Sequence, residues 1–310
     1  MSIKDTARSG KNGLIELMRF LFSLWVLYYH SYVPYKSGIF ADGFLAVEFF
    51  FVLSGFFLMR SIDKYSDAPL GKGLVDFLKH RFGAIALPFI IGEVFVLVFS
   101  FSNLDDISFN FLFGYLWYVR DLFIAMTAIF ILRRLIKGDR AFYITMAALS
   151  FTALFVFRFI PLFAWPSGPF RSICAMPVGM LCALIPKFKI PGGKRGKIIT
   201  GTVAAVALAA VSAVALTVIV PDSKTLLSEY LLVVLCYPAL LYFASMLNVR
   251  SKFLNWLGSL SFPIYSFQCI IRVIEDYGFD DRAALFYILM ALVLVYSLAV
   301  HLYKYKFKKA

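Results

Sequence analysis

The feature that most constrains this chain is a succession of apolar runs, each about twenty residues long. That is the length an α-helix needs to cross the hydrocarbon layer of a bilayer. Ten can be marked, at about 14–33, 40–59, 82–101, 113–132, 141–160, 170–186, 198–219, 226–247, 253–273 and 284–303. Their apolar residues are continuous and do not alternate, which argues against an outer-membrane β-barrel. Hydrophobic residues make up 61% of the 310 positions, whereas a soluble domain carries roughly 45–50%. The expected fold class is therefore all-α: a polytopic integral membrane helix bundle of about ten transmembrane helices. The expected location is a cell (inner or plasma) membrane, multi-pass, with residues 1–310 forming a single membrane-embedded domain.

The formal charge of +13 would suit a nucleic-acid binder, but its placement points elsewhere. Alternate loops, beginning with the N-terminus, hold 23 of the 31 lysines and arginines. The opposite loops hold Lys36, Arg171, Lys224, Arg272 and Arg282, with acidic pairs at Asp105–Asp106 and Asp280–Asp281. This is the positive-inside distribution, and it puts both termini in the cytoplasm. Membrane lipids are thus expected partners and nucleic acid is not. The N-terminus has no cleavage-site pattern, so the first run is expected to act as an uncleaved signal anchor. The Pro/Gly/Lys segment PKFKIPGGKRGK, 186–197, is expected to be a cytoplasmic linker between a front and a back half. Cys174, Cys182, Cys236 and Cys269 all fall within apolar runs, with no disulfide framework and no paired zinc spacing. No metal site is expected.

Charge inside a bilayer is costly and usually faces a bundle interior or a wet cavity. The candidates are Glu16, Arg19, His30, Glu48, Glu93, Arg120, Asp121 and Arg158. Arg19 and His30 are eleven positions apart, which is about three helical turns plus 20°, so they share one face at roughly 16 Å separation. Glu16 stands one turn before Arg19 and can pair with it. Spacing alone leaves two readings open. The face lines a cavity, or Arg19 snorkels to the headgroups while His30 hydrogen-bonds a neighbouring helix.

The segment ELMRFLFSLWVLYYH resembles the first helix of the membrane acyltransferase-3 family, whose acid, arginine and histidine are matched by Glu16, Arg19 and His30. LAVEFFFVLSGFFLMR is similar to that family's second helix, through Glu48, Ser54 and Gly55. LWYVRDLF looks like its tryptophan-bearing helix start. LGSLSFPIYSFQCII resembles its late-helix motif, through Gly258, Ser261 and Tyr265. The four segments occur in order and span most of the chain. Two positions depart from the pattern: Gln268 stands where relatives usually have histidine, and KHRFGAIALP lacks the second arginine of an Arg-x-x-Arg cluster. Relatives sometimes carry an added extra-cytoplasmic esterase-like domain. This chain stops soon after its tenth run, so it is expected to act alone or with a separate partner.

The resemblance implies an integral membrane O-acyltransferase that moves an acyl group, acetyl above all, from acyl-CoA to a hydroxyl of a cell-envelope or exported saccharide or a lipid-linked glycan. No bound cofactor is implied, and acyl-CoA is a substrate. His30 is the expected base, with Arg19 and Glu48 as further catalytic groups. Supporting roles fall to Glu16, Ser54, Tyr265 and Gln268. Lys79 and Arg81 are candidates for the donor's phosphates, and Arg120 and Asp121 for the acceptor. Glu48 has other readings: it pairs with a cation, it orients His30, or it is a structural pair between two helices. Arg120 and Asp121 could instead anchor their helix, as Arg158 is expected to do. A secondary transporter and an envelope polysaccharide polymerase or ligase are the other classes considered. The first lacks a visible inverted repeat, and the second usually needs a large outside loop.

Overall fold

The computed structural model of the chain describes residues 11–31, 43–100, 117–159, 169–185, 196, 199, 232–247, 249–276 and 282–307. These residues form ten α-helices and no strand. In chain order they are α1 (Gly13–Ser31), α2 (Phe44–Met59), α3 (Leu70–Gly83), α4 (Ala86–Ser100), α5 (Trp117–Leu135), α6 (Asp139–Phe159), α7 (Pro169–Leu184), α8 (Tyr237–Leu247), α9 (Lys252–Asp276) and α10 (Arg282–Phe307). A 3-10 turn at Ile62–Tyr65 precedes α3, and a π-turn at Leu232–Cys236 leads into α8. The all-α class agrees with the apolar runs, and most runs return as helices within a few residues of their expected ends. The run at 198–219 and the linker at 186–197 lie outside the described residues, except Ile199 and Gly196. Among the described residues no helix is both long and apolar enough to cross a membrane. The most apolar helices are short: α2 has 16 residues, α4 has 15 and α8 has 11.

The apolar runs leave 60–81 as the basic connection between the second and the third, and most of it is helical, in the 3-10 turn and in α3. The sequence hides this helix because Gly71, Gly73 and Gly83 lower its propensity. Tertiary packing supplies what propensity does not. The Phe77 ring is fully buried and stacks on Phe130 of α5, with centroids 4.9 Å apart. The Arg134 guanidinium donates to the carbonyls of Tyr65, Ser66 and Ala68, which fixes the approach to α3.

The chain divides into two compact units. The first comprises 1–15, 47–80 and 118–250. Within it α7 packs against both α6 and α8, and α2 crosses α7 at very close range. A Cβ on Gly55 would overlap the Met176 carbonyl, and one on Gly179 would overlap the Val52 carbonyl. Two glycines in reciprocal positions therefore let the helix backbones touch, as in small-residue packing between membrane helices. Arg133 closes the α5–α6 corner by donating to Asp63 (2.9 Å) and Asp139 (2.7 Å). The start of α1 also belongs to this unit. Asn12 caps it by accepting the Leu14 N–H at 3.0 Å, while its amide donates to the Ala244 carbonyl at 2.6 Å.

The second unit comprises 16–46, 81–117 and 251–310. Its centre is α9, which packs against α4 and α10. An apolar cluster joins Leu27 of α1 to Leu260, Ile264 and Phe267 of α9 and to Leu285, Leu289 and Val293 of α10.

Candidate functional site

Two groups of polar side chains are buried in otherwise apolar helices, one in each unit. In the second unit, Arg19 donates from Nη1 to Glu16 Oε2 at 2.8 Å, across one turn of α1. The Glu16 residue is 3% exposed, while the Arg19 side chain keeps 27% of its surface. The carboxylate is seated against Gly258 of α9, where any Cβ would overlap it and crowd the Glu16 backbone. Gly258 is thus the residue that lets α9 close over the pair. The Ser261 hydroxyl, one turn on, donates to the Gly258 carbonyl at 2.8 Å.

From this point α1 and α9 run together to the cluster of Leu27 with Leu260, Ile264 and Phe267. His30 follows Leu27 by three residues, and Gln268 follows Ile264 by four. The imidazole is half-buried and meets the Tyr29 ring edge-on, with centroids 5.1 Å apart. Tyr265 and Gln268 are both buried, and Gln268 Oε1 has no hydrogen-bond partner among the described residues. A buried acceptor left open in this way among the described residues is exceptional.

In the first unit, Glu48 of α2 accepts a hydrogen bond from Arg171 Nε of α7, and both side chains are at most 5% exposed. Beside them Asp121 of α5 is fully buried. Its Oδ1 accepts from Arg120 Nε at 2.9 Å, and its backbone carbonyl accepts from the Ser172 hydroxyl at 3.1 Å. Asp121 Oδ2 is a second buried acceptor with no partner among the described residues. The Arg120 side chain is 42% exposed, so the group opens toward one side. Two carboxylates and two guanidiniums balance in formal charge, and each carboxylate has a guanidinium partner.

The structure settles part of what the sequence left open. Arg19 pairs with Glu16. Glu48 pairs with a cation, and the cation is Arg171, which sequence reading placed among the outside-loop charges. The signal was present, because a lone acid in LAVEFFFVLSGFF requires a buried partner. The spacing gave no way to choose that partner among 31 basic residues. Ser54 is half-buried on α2. Lys79 is exposed and Arg81 half-buried, both near the end of α3. Two positions apart on a helix is about 200° of rotation, so the two cannot face one phosphate together. The side chain of Arg158 lies outside the described residues. Among the described residues no three His, Cys, Asp or Glu side chains gather into a metal-binding group.

A family model described as an acyltransferase domain matches residues 12–302, from the cap of α1 into the last turns of α10. No curated relative and no solved structure matches the chain.

Proposed function

Because the chain belongs to the acyltransferase-3 family and is an acyltransferase, we propose that it is an integral membrane O-acyltransferase that carries an acetyl or similar acyl group from acyl-CoA to a hydroxyl of an envelope or exported saccharide. The observation that carries this reading is α1, where a buried carboxylate holds Arg19 and His30 stands three turns on along the same face. The apolar runs and the one-sided distribution of lysine and arginine support placement in the cell membrane with both termini in the cytoplasm.

In this reading the His30 imidazole takes the proton of the acceptor hydroxyl. The hydroxyl oxygen bonds to the thioester carbonyl carbon, and the resulting tetrahedral oxyanion is stabilised by hydrogen-bond donors such as the Tyr265 hydroxyl. The C–S bond then breaks. The coenzyme A thiolate leaves and takes the proton back from the imidazolium, so the base is restored. Coenzyme A is made in the cytosol, and Arg19 is the cation for its phosphates, with Arg81 or Lys79 of α3 as a second contact. Gln268, through its open acceptor, contributes a hydrogen bond near the reacting groups. The Arg120–Asp121 pair meets the saccharide through its exposed guanidinium and its open carboxylate oxygen.

The test is release of free thiol from acetyl-CoA by the purified protein in lipid nanodiscs, with and without an envelope saccharide. Thiol release that requires the saccharide, with the acyl mass appearing on it, supports the reading. No release with any acceptor, together with solute flux in sealed vesicles, overturns it in favour of transport.

A further inference from the structure

Helix α3 has two unlike faces. The inner one is Gly73 and Phe77, both buried, with Phe77 stacked on Phe130. The outer one carries Val75 and Phe82, which are 48% and 40% exposed. They are seven residues apart and so stand almost directly above one another. Lys72 and Lys79, also seven apart and both exposed, form a second stripe roughly 40–60° around the helix from the first. The helix therefore presents a narrow apolar ridge with a lysine stripe along its edge. It sits at the end of α5 that ends in Arg133 and Arg134. Asp76 is the one acid of α3, against Lys72, Lys79 and Arg81.

An exposed apolar ridge is costly in water, and the flanking ammonium groups reject a cationic or purely apolar partner. A layer that takes both is the headgroup zone of an anionic bilayer, where apolar side chains reach the acyl boundary and lysines meet phosphates. We propose that α3 is an in-plane helix that docks through Val75, Phe82, Lys72 and Lys79 onto the anionic lipid headgroups of the cytoplasmic leaflet. This rests on the membrane placement proposed above. It assigns Lys79 to lipid phosphate and leaves Arg81, on another face of α3, for the donor.

The experiment uses the full chain in nanodiscs of phosphatidylcholine with or without phosphatidylglycerol, carrying a benzophenone amino acid at Val75. A second sample carries it at Phe151 of α6, which is 72% exposed in a run expected to cross the bilayer. Ultraviolet crosslinking is read by mass spectrometry. The proposal expects lipid adducts at Val75, enriched in phosphatidylglycerol over its mole fraction. The enrichment should fall roughly fivefold for each lysine reversed, in K72E, K79E and the double variant. Coenzyme A added in excess should leave it unchanged. Adducts at Phe151 but none at Val75 overturn the proposal, as does a protein adduct at Val75. Loss of the phosphatidylglycerol enrichment on adding coenzyme A also overturns it, by assigning the lysines to the donor. Lipid adducts at neither position remove the membrane placement itself.

Discussion

Glu48 and Arg171, 123 residues apart in sequence, form a buried ion pair that ties α2 to α7. The same two helices touch backbone to backbone at Gly55 and Gly179. The pair and the glycine contact lie about two turns apart along both helices, so α2 and α7 are joined at two levels.

Removing one partner leaves the other charged and buried, at a cost of about 3–5 kcal/mol. E48Q is milder because the amide still accepts a hydrogen bond, and R171M is the severe case. Thermal unfolding followed by size-exclusion fluorescence should show R171M lower than E48Q. The double variant E48M/R171M should recover part of the loss, since it leaves no unpaired charge. A double variant less stable than R171M would show that the pair is net stabilising.

Gly258→Ala forces a methyl group into the space held by the Glu16 carboxylate. Overpacking of this kind costs about 1–3 kcal/mol. The larger effect should be on activity, because the displaced carboxylate no longer holds Arg19. Thiol release should fall by tenfold or more in G258A at a protein level near wild type. Equal activity would mean that α9 can shift without disturbing Glu16.

Arg19→Lys keeps the charge and loses the planar fork that a carboxylate and a phosphate can share. The prediction is a higher KM for acetyl-CoA with a lower kcat. A lysine variant that matches wild type in both would leave Arg19 as a charge marker only.

His30→Ala should abolish transfer and leave membrane insertion and unfolding temperature unchanged, because the imidazole is only half-buried. Full activity in H30A would remove this residue from the mechanism.

Gln268→Leu separates binding from stability. Its Oε1 makes no hydrogen bond among the described residues, so exchanging it for an apolar group of similar size should leave unfolding unchanged or raise it. If Gln268 has the role proposed for it, transfer should fall, because its acceptor is gone. Gln268→His restores a polar group and should retain activity. An unaltered rate in the leucine variant would show that the position serves packing alone.

Much was legible in the chain before folding. Apolar runs give the helices directly, because backbone groups leaving water satisfy themselves most simply within a helix. The common face of Glu16, Arg19 and His30 follows from a rotation of about 100° per residue and needs no neighbour. The Glu16–Arg19 pair is one turn long, so spacing was enough to anticipate it. Other features depend on residues far apart in sequence. Gly258 reads as a helix-weakening residue until α9 is laid on α1, and then it is the only side chain small enough for Glu16 to fit beneath. Arg171 reads as a loop charge until α7 meets α2. α3 reads as a basic loop until Phe77 finds Phe130. In each case the local chain held a cost, a glycine, a lone charge or a weak helix, and only a contact from a distant segment could offset it.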